Sequence, residues 1–202
     1  MNKDILKIGA IVVLITGILS ILMSIWVFLT YSSSFTNFWY VIRLLINLAV
    51  MVFFTIGFFR EDKNHILIGY IILSGISVLS GIVNLDNVFK LSQHIWPIIQ
   101  NLFRLGLSVA LLISWIFIKK RSAMYAIIII QGISILLGLI NTPSYTLLIF
   151  TQFPVIGLAN TVSTVDSILA SLLAIGYVMV YHINAEVKKT VSAPTEVKFD
   201  DF

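Results

Sequence analysis

Along this chain apolar positions come in long, almost unbroken runs, separated by short clusters of charged or turn-forming residues. Neither the strict alternation of a half-buried strand nor the narrow stripe of a surface helix recurs. The runs fall near Ile5–Thr30, Trp39–Phe59, His65–Asn84, Ile95–Ile118, Ala123–Asn141 and Ala159–Ile183. A bilayer core about 30 Å thick needs about 20 apolar residues per helical crossing, so each run is long enough for one span. The pattern predicts an all-α, polytopic membrane bundle of about six transmembrane helices. A membrane barrel would alternate polar and apolar positions over ten-residue stretches, and Tyr125-Ala-Ile-Ile-Ile-Ile does not alternate. Residues 1–184 read as a single transmembrane domain, and residues 185–202, polar and mixed in charge, as a flexible cytoplasmic tail.

Two stretches need separate treatment. Met1-Asn2-Lys3-Asp4-Ile5-Leu6-Lys7 has a signal-like charged start, but the apolar run to Thr30 exceeds a signal h-region and carries no A-x-A site. It is expected to be a retained first span. Ser122–Val165 holds no charge and is long enough for two spans. Because Pro154 and Gly157 would interrupt a helix, Tyr145–Gly157 is expected to be an interfacial or re-entrant segment leading into the last span.

Composition supports lipid as the solvent: 59% of the 202 residues are hydrophobic and 11% charged, too few charges to cover a water-soluble surface. The net charge of +4 is no sign of nucleic-acid binding, because the basic residues sit at the ends of apolar runs and form no patch. They orient the helices instead. With the N-terminus inside, ten of the 13 basic residues (Lys3, Lys7, Arg60, Lys63, Lys119, Lys120, Arg121, Lys188, Lys189 and Lys198) fall on the cytoplasmic side. Lys90 falls on the other side, and Arg43 and Arg104 fall within spans. The positive-inside rule thus predicts both termini in the cytoplasm and the cell membrane as the location.

The chain also repeats itself. Shifted by 57 positions, Trp39–Asn84 aligns without a gap on Trp96–Asn141 with 15 identities in 46 positions, against roughly a tenth expected from so biased a composition. The matches include Lys63/Lys120, Gly75-Ile76-Ser77/Gly132-Ile133-Ser134, Gly81/Gly138 and Asn84/Asn141. Spans two and three therefore read as a parallel repeat of spans four and five. Phe153-Pro154-Val155-Ile156 and Thr16-Gly17-Ile18 are weaker echoes from which a third copy could be built.

Candidate chemistry is sparse. Arg43, Arg104 and Asp166 are the ionisable residues inside spans, and a charge at that depth costs at least ~2.5–3.5 kcal/mol on insertion scales. Arg104 lies roughly 13 Å deep and Arg43 about 6 Å; Asp166 lies roughly 10 Å deep if its helix starts near Ala159 and nearer 20 Å if it starts at Phe153. The shallower start permits an Arg104–Asp166 ion pair or a shared polar cavity. Asn47 follows Arg43 by one turn, and Gln100, Asn101 and Ser108 lie within a turn of Arg104. In the last span Ala159, Ser163, Asp166, Ala170 and Ala174 form a face of small residues around one acid, expected to pack closely. Gly75, Gly81, Gly132 and Gly138 are read as thin points for neighbouring helices, and Trp39, Tyr40, Trp96, Tyr145 and Phe153 as an aromatic belt.

The residue types that would carry catalysis are not arranged for it. There is no cysteine, His65, His94 and His182 fall at span ends, and no H-E-x-x-H, G-x-S-x-G or Walker pattern occurs. No catalytic residue, metal or cofactor is predicted. Two readings follow: a non-catalytic membrane subunit or accessory protein that contacts other membrane subunits, or a small-solute permease or substrate-capture subunit using the groups around Arg104 and Asp166.

Overall fold

The computed structural model describes residues 3–31, 38–91, 95–149 and 154–184. Within them, the side chains of residues 31, 38–43, 84, 86–91, 96–97, 141 and 144–149 lie outside the description. The described residues form six α-helices: α1 (Lys3–Tyr31), α2 (Phe38–Arg60), α3 (Lys63–Leu91), α4 (Ile95–Ile116), α5 (Arg121–Ile149) and α6 (Pro154–Val178). A π-helical turn, Met179–Ile183, extends α6. Five of the helices are long and apolar enough to cross a membrane; of α2, the apolar stretch Leu44–Arg60 is shorter. Much of the exterior is aliphatic, with Leu29, Ile95 and Ile140 more than two-thirds exposed. These features mark a multi-pass membrane protein.

The start expected for the last helix is corrected from Ala159 to Pro154; of Tyr145–Gly157, α5 continues through Pro143 to Ile149 and α6 begins at Pro154, while residues 150–153 lie outside the described residues. Pro154 stands in the first turn, where its missing N–H is one that no intrahelical carbonyl would accept. It starts a helix where it was expected to break one.

The helices pack in chain order, each on the next, and α6 closes on α1, so the bundle is a ring. Displaced by 57 residues, the bounds of α2 and α3 fall within one residue of those of α4 and α5. Gly81 and Gly138, equivalent under that shift, both receive the following helix. A Cβ would lie 2.9 Å from Leu105 Cδ1 at Gly81 and 3.0 Å from Ile168 Cγ1 at Gly138. Gly75 and Gly132 face open space instead, so they are not the thin points expected of them.

The core fills one end of the ring, the end bearing Lys3, Arg60, Lys63, Lys119, Lys120 and Arg121. Leu6 and Ala10 of α1, Phe54 and Phe58 of α2, Ile66 and Tyr70 of α3, Trp115 of α4, Met124 and Ile127 of α5, and Leu173 and Tyr177 of α6 meet there. Tyr70 stacks on Trp115 with ring centroids 4.3 Å apart and planes 3° from parallel, and Phe54 meets Tyr70 edge-on at 4.7 Å. The Tyr177 hydroxyl donates to the Lys63 carbonyl at 2.9 Å, tying the end of α6 to the start of α3. Toward the other end burial fades: beyond Gly17 no described side chain of α1 is buried.

The α2–α3 turn locks this end. Asp62 N–H bonds the Gly57 carbonyl and Glu61 N–H the Phe58 carbonyl, a Schellman closure that places Glu61 in the left-handed region at φ 55°. Asp62 Oδ1 then accepts the backbone N–H groups of Asn64 and His65, capping α3. A non-glycine residue is disfavoured at Glu61's φ, but its carboxylate receives both Lys3 and Lys7 of α1, the latter at 2.9 Å.

Two predictions follow from this packing. Trp115, wholly buried, should cost about 3–5 kcal/mol when changed to alanine, whereas Phe103→Ala on the exposed surface should stay within about 0.5 kcal/mol in denaturant unfolding from detergent. Equal effects would place the core elsewhere. The hydrogen bonds from Lys3 and Lys7 lower the Glu61 carboxyl to about 2. A depressed acid stabilises the fold above its unfolded value, near 4.5, and loses that contribution as pH falls toward 2. Thermal unfolding of Glu61→Gln should therefore trail the parent at pH 7, by an amount that shrinks on acidification through this window and in high salt.

Candidate functional site

An open cleft of about 380 Å³ with polar side chains in its lining lies between α4, α5 and α6. α4 lines it with Arg104, Leu107, Ser108 and Leu111, positions three and four apart and so on one helical face. Ile130, Ser134, Leu137 and Gly138 of α5 obey the same spacing, and α6 adds Ser163, Thr164 and Ser167. Counted from Ile95, Arg104 lies about 14 Å along α4, well within its apolar length.

The hydroxyls differ in what they can offer. Ser108 donates to the Arg104 carbonyl at 3.0 Å, Ser134 to the Ile130 carbonyl at 3.0 Å and Thr164 to the Asn160 carbonyl at 2.8 Å. This bonding to the preceding turn is how a hydroxyl is satisfied in a helix without water, and it leaves only lone pairs facing the cleft. Ser163 and Ser167 make no such bond among the described residues, so their protons remain free to be donated. Among the described residues no carboxylate lies within ion-pair distance of Arg104; the ion pairs present are those of Glu61 with Lys3 and Lys7.

The expected Arg104–Asp166 ion pair is thus not made. With α6 starting at Pro154, Asp166 lies about 18 Å along its helix, deeper than Arg104, and it occupies another face. It is nine-tenths buried, and Thr16 Oγ1 of α1 donates to its Oδ1 at 2.7 Å. Gly17 stands beside it, where a side chain would strike Met51 of α2. Asp166 is therefore part of the seam at which α6 closes on α1. Ala159 and Ala174 are buried and Ala170 is half-buried against the core, whereas Ser163 is exposed in the cleft, so the small-residue face packs inside the ring only in part.

The other predicted polar residues are not brought into the cleft. Gln100 is exposed, while Asn101 and Asn47 are half-buried and line neither wall. The side chain of Arg43 lies outside the described residues, as do those of Trp39, Tyr40, Trp96, Tyr145 and Phe153 and the tail 185–202. Ser134, Thr164 and Ser167 were not singled out by spacing, because lone hydroxyls within apolar runs look alike until three helices converge. Among the described residues no cluster of three His, Asp or Glu side chains could hold a metal ion.

Two further clefts are almost wholly apolar. One of about 380 Å³ lies between α1 and α2, lined by residues such as Ile25, Leu29 and Leu45; another of about 400 Å³ lies between α1 and α6. No family model, curated protein or solved structure matches this chain.

Removing the hydroxyl that Asp166 receives tests the seam. Thr16→Val keeps the shape and strands a buried carboxyl, so it should destabilise the bundle by about 1–3 kcal/mol in denaturant unfolding, and Asp166→Leu combined with it should recover part of the loss. A Thr16→Val protein as stable as the parent would mean that Asp166 does not tie α6 to α1.

Proposed function

We propose that this chain is a non-catalytic permease or substrate-capture protein of the cell membrane that binds a small polar solute in the cleft around Arg104. The observation that carries this reading is a guanidinium with no ion-pair partner among the described residues. A charge at this depth is costly, and a structural clamp would offset the cost with an acid. Arg104 instead lies exposed in a cleft, beside hydroxyls, with no carboxylate among its described neighbours. Charged groups inside a span that face a water-accessible cavity characteristically mark a solute pathway. The volume of about 380 Å³ falls in the range of small-molecule sites.

The topology proposed with it is six crossings with both termini cytoplasmic, α2 providing the sixth. The clustering of lysine and arginine at one end of the ring supports that orientation. The recurrence of helix bounds and of the Gly81 and Gly138 contacts at a 57-residue offset supports a duplicated helix pair. Parallel repeats of this kind build several transporter folds, with the solute between the copies and their neighbours.

A second reading, a membrane subunit that contacts partner helices, has one observation in its favour: the apolar groove between α1 and α2, which a neighbouring helix would fit. The two separate on Arg104, which the partner reading does not need.

A thermal-shift screen of small solutes, followed by uptake into proteoliposomes, should find compounds that stabilise or cross with the parent protein and not with Arg104→Ala, while the stability of the unliganded variant changes by less than about 1 kcal/mol. Uniform destabilisation of the variant, or identical solute responses in both proteins, would remove Arg104 from any binding role.

A further inference from the structure

We infer that the solute of the Arg104 cleft is a small organic monocarboxylate with a hydrocarbon body, an inference that rests on the solute-binding reading above. Three properties of the cleft converge on that class.

The first is charge. Among the described residues, Arg104 is the one ionisable residue lining the cleft. It neutralises a single negative charge, and a dianion such as phosphate would leave the second without a cationic partner among the described lining residues. A cation would meet the guanidinium with no acid to receive it.

The second is the supply of donors. The protons of Ser108, Ser134 and Thr164 are directed to carbonyls of their own helices. What remains for a ligand is the guanidinium fork and the hydroxyls of Ser163 and Ser167. Two parallel N–H groups match the two oxygens of a carboxylate in a bidentate pair, and two hydroxyls suffice for its remaining lone pairs.

The third is the apolar remainder. Below Arg104 the walls are Leu107 and Leu111 on α4 and Ile130 on α5, and Leu111 packs against the aromatic core that closes the inward end. A carboxylate held at Arg104 therefore points its hydrocarbon toward Leu111 and Ile130. A fully hydrophilic anion would leave that surface facing bound polar groups without return.

The test uses the full chain in phosphatidylcholine nanodiscs and measures equilibrium binding of hexanoate, acetate, hexylamine, hexanol and inorganic phosphate. Hexanoate should bind saturably and more tightly than acetate, while hexylamine and phosphate should not compete. Arg104→Gln should weaken hexanoate roughly ten- to hundredfold, and Arg104→Lys, which keeps the charge and loses the fork, should weaken it less. Leu111→Ala should reduce the advantage of hexanoate over acetate. Nanodiscs containing phosphatidylglycerol distinguish a lipid from a free solute: Arg104-dependent stabilisation by that lipid without hexanoate binding would overturn the carboxylate in favour of a headgroup phosphate. Saturable, Arg104-dependent binding of hexylamine, hexanol or inorganic phosphate in place of hexanoate would overturn the ligand class and leave solute binding standing. Absence of Arg104-dependent binding by every probe, in a variant that elutes and melts like the parent, would overturn both.

Discussion

Inside a bilayer there is no water to receive a backbone N–H or C=O, and there is no hydrophobic gain in moving a leucine from lipid to a neighbouring helix. The first condition makes each crossing of this chain a helix. The second means that the helices hold together only where side chains interlock or hydrogen bonds span the gap. Both kinds of contact are concentrated at the lysine- and arginine-rich end, where Tyr70 stacks on Trp115, Phe54 meets Tyr70 edge-on, and Tyr177 reaches the Lys63 carbonyl. Aromatic rings suit this task because they bring large contact areas with few rotatable bonds.

Packing at one end leaves a cleft open at the middle of the ring. The ring of six helices has its core where it is pinned, and the cleft around Arg104 lies beyond that core. Glu61 helps to fix the pin from outside: it accepts a disfavoured backbone conformation at φ 55° and holds Lys3 and Lys7 of α1 against the α2–α3 turn. Asp166 closes the seam between α6 and α1 deeper in the bundle, through Thr16. With its acid spent on that seam, Arg104 keeps its charge for the cleft. Two polar features that look like one pair in the linear chain are thereby separated, Asp166 at the seam between α6 and α1 and Arg104 in the cleft between α4 and α6.

Much of the architecture was legible in the chain. Long apolar runs bounded by charges placed the starts of α1 to α5 to within two residues, but α3 runs on from Asn84 to Leu91 and α5 from Asn141 to Ile149, and α6 starts at Pro154, where proline was read as a break. Proline is ambiguous because its lost N–H is harmful in a helix interior and harmless in a first turn, and only the neighbouring backbone says which applies. The 57-residue periodicity anticipated matching helix bounds and the paired contacts of Gly81 and Gly138, yet not that Gly75 and Gly132 face empty space.

The sequence by itself determined the medium and the secondary structure, since these depend on apolar length and on charges at run ends, which are local properties. It also singled out Arg104, because a guanidinium within an apolar run is conspicuous wherever the run lies. Tertiary structure decided what Arg104 and Asp166 face. The start of α6 at Pro154 sets the rotation and depth of Asp166, and with them its contact with Thr16 on a helix 150 residues away in the chain. The same rotation turns Ser163, Thr164 and Ser167 toward Ser134 and Arg104. Helical phase is shared by every residue of a helix, but which neighbour it meets depends on how the ring closes, and no local pattern encodes that closure.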